Sequence, residues 1–341
     1  LMIMVIIMAV LALIVVKALV HSPWGTFTIA ATMPIALFMG IYTRYIRPGK
    51  IGEISIVGFI LLMLAVIYGD NVAHSSIGHW FDLDGIQLTW AIMIYGFVAS
   101  VLPVWLLLTP RDYLSTFLKI GTIVALAIGI LIVSPALQMP AVTHFIDGSG
   151  PVFSGALFPF LFITIACGAV SGFHALISSG TTPKMLENET HVRMIGYGGM
   201  LMESFVAIMA LAAAASLDPG VYFAMNSPAA LIGTDANTAA EVITTKLQFP
   251  VDAATLLHTA KEVGENTILS RAGGAPTLAV GMAHIMSRLI PGEAMMAFWY
   301  HFALLFEALF ILTAVDAGTR VARFMIQDLG SIFYKPFGNT D

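Results

Sequence analysis

Residues 1–20 read LMIMVIIMAVLALIVVKALV, a run whose one charge is Lys17. An α-helix rises about 1.5 Å per residue, so roughly 20 such residues match the hydrocarbon thickness of a bilayer. Comparable apolar stretches recur at 26–43, 52–69, 88–108, 117–136, 155–178, 195–216 and 295–316. Composition agrees with that reading. The 341 residues are 58% hydrophobic and 10% charged, with a mean hydropathy of +0.91. Soluble domains carry about 25% charged residues. So few charges cannot coat a water-facing surface, and lipid has to take the place of water over much of it. The expectation is an all-α polytopic transmembrane bundle.

Lysine and arginine placement orients the spans, because cytoplasmic loops carry the positive excess. Arg44, Arg47 and Lys50 share one loop; Arg111 and Lys119 flank a second, Lys184 and Arg193 a third, and Arg320, Arg323 and Lys335 follow the last span. The intervening loops 21–25, 70–86 and 138–152 hold no Lys or Arg, and the last two hold Asp70, Asp82, Asp84 and Asp147. A ninth apolar stretch, 275–290, follows Gly273, Gly274 and Pro276. Counting it as a span would put Arg320 and Arg323 outside. A re-entrant or interfacial segment keeps them inside, which leaves about eight full spans. Residues 217–274 then form an extracytoplasmic loop, in which Asp252 followed by Ala253, Leu256, Leu257, Ala260 and Val263 predicts an N-capped amphipathic helix. The chain reads as a single, partial transporter domain, 1–341. It opens at full hydrophobicity with no basic leader, so an internal fragment of a longer protein is expected.

Chemistry-bearing residues concentrate in PFLFITIACGAVSGFHALISSGTTPK, residues 159–184. Gly168, Ser171, Gly172 and His174 fall near mid-membrane, and Ser178, Ser179, Gly180, Thr181, Thr182 and Pro183 close the stretch. Glycines weaken a helix, and freed carbonyls and hydroxyls can then face a cavity that binds a passenger or an ion. The alternative is a small-residue packing face at Gly168 and Gly172, with Ser and Thr capping the backbone. His174 can relay a proton or simply bond a carbonyl. Glu203 and Glu307 are intramembrane carboxylates and, with His174, candidates for coupling. His301 precedes Glu307 by six residues, about 120° away around the helix, so the two are no obvious pair. Pro103 interrupts YGFVASVLPVWLLL and is expected to break the fourth span. Arg111 and Asp112 read as an anchor or gate ion pair at the cytoplasmic interface. Trp24, Trp80, Trp90, Trp105 and Trp299 read as interfacial belt residues.

Several classes are disfavoured. The single cysteine, Cys167, excludes an intrachain disulfide and a multi-thiolate zinc site. No Walker-type run and no His-Glu-x-x-His pattern occurs, so no cofactor or metal is called for. No basic cluster suggests nucleic acid. An intramembrane hydrolase built on Ser171 and a histidine such as His301 is the competing reading, but no Gly-x-Ser-x-Gly elbow supports it.

The strings ITIACGAVSGFHALISSGTTPKM, GYGGMLMESFVAIMAL, SRAGGAPTLAVGMA, FEALFILTAVDAGTR and LPVWLLLTPRDYLSTFLKIGT together resemble the carbon starvation protein A family along the whole chain. The resemblance implies a multi-pass transporter of the bacterial inner membrane that scavenges during carbon starvation. It would take up small peptides or pyruvate, with protons or Na⁺ as the coupling ion. The family is similar to the amino acid–polyamine–cation superfamily with its inverted five-helix repeats. Under that analogy the Pro103 helix begins the second repeat, the 178–182 helix is its third member and the last span its fifth. Full-length members carry further helices on both sides, so part of a composite site would lie elsewhere.

Overall fold

A computed structural model describes residues 1–103, 105–170, 172–178, 186–292 and 294–338. Among them there is no strand. The helices are α1 (Met2–Leu19), α2 (Pro23–Ile41, continued by a π turn Tyr42–Ile46), α3 (Ile51–Ala73), α4 (Gly85–Val101), α5 (Leu108–Val133), α6 (Leu157–Val170), α7 (Gly172–Ser178), α8 (Val192–Ala215), α9 (Pro219–Asn226), α10 (Ala229–Ile232), α11 (Ala236–Thr245), α12 (Ala253–Glu262), α13 (Ala275–Leu289) and α14 (Met295–Ser331). Among the described residues six stretches are long and apolar enough to cross a membrane: Met2–Leu19, Pro23–Ile46, Ile51–Ala73, Leu108–Val133, Glu189–Ala215 and Met295–Ser331. Gly85–Val101 and Leu157–Ala166 are shorter apolar helices. In α1, α3, α5 and α8 less than a third of the apolar window is buried. Side chains such as Ile56, Ile132, Met194 and Leu211 point outward, as a lipid-facing surface requires.

The chain divides into two compact units: residues 1–120, 173–192 and 305–341, and residues 121–172 and 193–304. In the first unit α2 and α3 form an antiparallel hairpin. The Trp24 indole donates to the Val66 carbonyl at 2.9 Å, and near the turn Tyr42 donates to Glu53 at 3.0 Å. Helix α4 starts at a capping box, where Asp84 accepts from the Gln87 amide and Gln87 accepts from that of Asp84. It stops at Leu102, whose φ of −62° and ψ of 148° are extended. Proline drives the preceding residue out of the helical region, so Pro103 ends the helix. The two flanking segments are not one continuous helix: the Arg111 guanidinium lies 4.8 Å from the Tyr95 ring, whereas one continuous helix would separate them by about 24 Å. The expected interruption of the fourth apolar stretch at Pro103 is thus a full helix end, and the next helix begins at Leu108.

Arginines gather at one end of the unit. Arg44 stacks on Trp105 at 5.0 Å. Gly40 touches the same segment, since a Cβ there would come 2.5 Å from the Leu106 carbonyl oxygen. Arg320 and Arg323 bond the end of α4. At the opposite end His21 meets Asp82 at 3.1 Å, and Phe27 packs edge-on against Phe81 at 5.3 Å. Basic turns and acidic turns therefore separate within one unit, as the alternation of charges in the sequence implied.

The second unit holds α6, most of α8, α9–α13, the later part of α5 and the start of α14. Asp218, Asp235 and Asp252 cap α9, α11 and α12 through their carboxylates. Helix α12 buries Leu256, Thr259 and Ala260, with Leu257 exposed. Phe223 stacks on Phe249 at 4.5 Å, and Phe249 on His144 at 5.6 Å. Buried Arg271 pairs with buried Glu265 at 2.9 Å. Helix α13 is buried at eleven of its fifteen positions. It approaches α8 closely at Gly281, where a Cβ would sit 2.5 Å from the Ala213 carbonyl oxygen.

Candidate functional site

The densest polar chemistry inside apolar helices lies in the first unit, where α4, α5 and α14 meet. Asp316 Oδ2 accepts from the Tyr95 hydroxyl at 2.7 Å and from Arg111 Nη1 at 3.0 Å. The Arg111 and Asp316 side chains are each 1% exposed. Eight residues further along α5, Lys119 donates to the Thr313 hydroxyl at 3.3 Å and lies 4.9 Å from the Phe310 ring. Asp112 and half-buried Glu307 lie within electrostatic reach of Lys119.

Local sequence explains each position. Thr313, Asp316, Arg320 and Arg323 are three, four and three residues apart, which sets them along one stripe of α14. That stripe faces the end of α4. Arg320 Nη2 donates to the carbonyls of Ala99 and Leu102 at 3.1 and 2.8 Å, and Arg323 Nη1 donates to that of Ser100 at 2.7 Å. The last carbonyls of a helix lack intrahelical partners, and cations there also meet the negative end of the helix dipole. A proline-terminated helix in a chain poor in water thus has its loose carbonyls satisfied by arginines of another helix.

One sequence expectation is corrected here. Arg111 does not pair with Asp112 in a loop. Both lie in α5, and Arg111 bonds Asp316, 205 residues away in sequence. Arg320 and Arg323 follow the apolar part of α14, as expected, and the helix itself continues through them to Ser331. An unpartnered charge in an apolar setting is expensive, so once α5 starts at Leu108 the cation needs a buried acid. The overlooked signal was Asp316 itself, a carboxylate inside the apolar run FEALFILTAVDAGTR.

The remaining predicted site residues fall as follows. Gly168 lies within α6; Gly172, His174 and Ser178 lie in α7. Ser171, Ser179, Thr181 and Thr182 lie outside the described residues. The Ser178 hydroxyl donates to its own helix at Ala175 O, 3.0 Å. Ile177 of α7 clusters with Met4 of α1 and Val321 of α14, with Ala317 and Met325 packed against them. This sets the His174 helix against the part of α14 just beyond Asp316. Glu203 is half-buried in α8 of the second unit, and Glu307 belongs to α14 in the first. His301 is buried in the second unit. Ser171, on which the hydrolase reading rests, lies outside the described residues.

No cluster of three or more His, Cys, Asp or Glu among the described residues is arranged to hold a metal ion. The second unit contains a cavity of 340 Å³ lined in part by Asp218, His258, Glu262, His284 and Arg288. Beyond the spans, two carboxyls titrate below the ordinary range. Asp252 is held down by its bond from the Thr255 side chain and then by the Thr255 amide. Asp147 is held down in the same way by Ser149.

A family model described as "Carbon starvation protein CstA" matches residues 1–341. The chain is 66% identical to a protein named peptide transporter CstA from Escherichia coli K12 over 345 residues, covering 100% of this chain and 49% of that one. It is 56% identical to the pyruvate/proton symporter BtsT of the same organism, covering 99% of this chain and 50% of the relative. Against a peptide transporter CstA of Bacillus subtilis the identity is 44%, covering 98% and 53%. The chain therefore spans about half the length of these curated relatives. No solved structure matches it.

Proposed function

Because this chain belongs to the carbon starvation protein CstA family, we propose that it forms part of a secondary active transporter of the bacterial inner membrane. The transporter takes up small peptides or a small carboxylate such as pyruvate, with protons as the coupling ion. The names of two relatives, a peptide transporter and a pyruvate/proton symporter, support the substrate classes. The observation that carries the reading is the buried Arg111–Asp316 pair with Tyr95 on its carboxylate. Ionisable groups inside a membrane are costly, and they are retained where a substrate or a proton passes. Asp316 has the chemistry of a coupling acid. Taking up a proton cancels its charge, weakens its hold on Arg111 and leaves Tyr95 with a weaker acceptor.

The architecture in this reading has about eight spans, the shorter α4 and α6 included. Helix α13 is re-entrant or interfacial, and residues 217–274 form a loop on the outer face. The end carrying Arg44, Arg47, Arg320 and Arg323 is cytoplasmic. An inverted-repeat arrangement accommodates these elements. The stretch Gly168, Ser171, Gly172, His174, Ser178, Ser179, Thr181 and Thr182 belongs to the passenger's path, and His174, Glu203 and Glu307 join Asp316 as relay candidates.

The test is uptake of labelled pyruvate and of a labelled dipeptide by the full-length protein in proteoliposomes. Accumulation driven by an imposed proton gradient and collapsed by an uncoupler is expected, and a Na⁺ gradient alone should drive none. His174→Ala and Glu203→Gln should each abolish coupled uptake in folded protein; normal transport by both would remove them from the relay. No uptake of either substrate, together with peptide cleavage lost in Ser171→Ala, would overturn the transport reading in favour of a hydrolase.

A further inference from the structure

Asp316 occupies only part of Arg111. The guanidinium gives Nη1 to Asp316 Oδ2 at 3.0 Å, and one face lies against the Tyr95 ring at 4.8 Å. Its remaining edge, Nε and Nη2, is buried and has no hydrogen-bond partner among the described residues. These two N–H groups point side by side in the plane of the guanidinium, the geometry that a carboxylate fills with two parallel bonds. The charges around it balance, with Arg111, Lys119 and Arg320 against Asp316, Asp112 and Glu307, so a further anion is accommodated once one of these acids is protonated. A buried donor pair on an always-charged group has to find a partner at some stage of the working cycle. Peptides and pyruvate differ in size and shape, yet both carry a carboxylate.

We infer that Arg111 is the residue that receives the carboxylate of the transported molecule, and that Asp316 and this carboxylate compete for it. When Asp316 is ionised it holds Arg111 in the closed pair. When it takes a proton, the guanidinium turns to the incoming carboxylate, and loss of that proton on the other side restores the pair and expels the passenger. The one bond made and broken is the O–H of the Asp316 carboxyl; one proton and one carboxylate enter together. The other charged and titratable groups facing the pair are Tyr95 on α4, Asp112 and Lys119 on α5 and Arg320 on α14. The inference rests on the transport reading above and adds the residue that selects the substrate.

The experiment uses full-length protein in proteoliposomes, with pyruvate and a dipeptide as probes and their neutral counterparts, pyruvamide and the C-terminally amidated dipeptide, as competitors. In the wild type each acid should compete at least tenfold better than its amide, and binding should weaken as pH rises, because ionised Asp316 reclaims Arg111. In Arg111→Gln the acid and its amide should compete equally, a loss of selectivity that a merely structural role would not produce. In the near-isosteric Asp316→Asn, binding of the acid should no longer fall with rising pH. An amide that competes as well as its acid on wild type overturns the inference, as does Arg111→Gln that still discriminates or Asp316→Asn with an unchanged pH slope. Failure of wild type to move either acid would instead strike the transport reading itself, so the two are separable.

Discussion

Consider the removal of Asp316 with Arg111 left in place. In Asp316→Leu the guanidinium, 1% exposed, loses its counter-charge inside an apolar bundle. Breaking a buried pair from one side costs about 3–5 kcal/mol. The Tyr95 hydroxyl, 2.7 Å from Oδ2, also loses its acceptor, for about 1 kcal/mol more. The expected loss is therefore about 4–6 kcal/mol. Arg111→Met alone leaves the carboxylate stranded, though still bonded by Tyr95, and should cost about 3–5 kcal/mol. The double variant Arg111→Met/Asp316→Leu strands neither charge. Its loss should fall short of the sum of the two single losses by about 3 kcal/mol. The assay is denaturant titration of the full-length protein in micelles, followed by tryptophan fluorescence, for wild type, both singles and the double. Strictly additive losses would mean that the two charges do not depend on one another, and the site built on their pairing would fall.

Three further outcomes follow from geometry already described. Gly40→Val should destabilise the bundle by about 1–3 kcal/mol, since its Cβ would meet the backbone at Trp105 and Leu106 rather than a movable side chain; thermal melting in micelles reads this, and an unchanged Tm would argue against the close approach. The pair Arg320→Gln and Arg323→Gln should raise hydrogen exchange at the end of α4 around Ala99–Leu102, with exchange in α3 unchanged as the internal control. For α12 the pH sign is set by Asp252, whose folded pKa is depressed: its cap contributes stability above the ordinary Asp value of about 3.9 and loses it as pH falls through the lower folded value. Exchange at 253–262 should accelerate on that acid side, and Asp252→Ala should show the same fraying at neutral pH without a further acid step.

How much of this was legible beforehand follows the physics of each signal. Apolar runs announce spanning helices directly, because length and hydropathy are local properties, and the stretches 1–20, 26–43 and 52–69 coincide with α1, α2 and α3 to within a few residues. Within the first unit the separation of basic from acidic turns also survives, since the sign of a turn does not depend on where it packs. Helix ends were harder. A proline five residues before the end of an apolar run can kink a helix or stop it, and only the partner that receives the freed carbonyls decides; here that partner is Arg320, more than two hundred residues later. Once α4 stopped early, α5 started early, and Arg111, read as a loop anchor, became a buried group. The long-range pair was invisible for the same reason: Asp316 sat at the nominal border of the last span, where a carboxylate looks like an interfacial residue until the helix is known to continue to Ser331. The stretch 171–182, which local composition marked most strongly, contributed α7 and its packing onto α1 and α14.

The arginine clasp constrains how the molecule can move. Three hydrogen bonds from Arg320 and Arg323 fasten the terminus of α4 to one stripe of α14, and Tyr95 makes a second attachment about a turn away through Asp316. Two near-parallel rods riveted at two heights cannot slide past each other by a helical turn without shearing both fastenings at once. Within the first unit, α4 and α14 are therefore fastened to shift as one lever, and the carboxylate of Asp316 is a rivet that a proton can loosen.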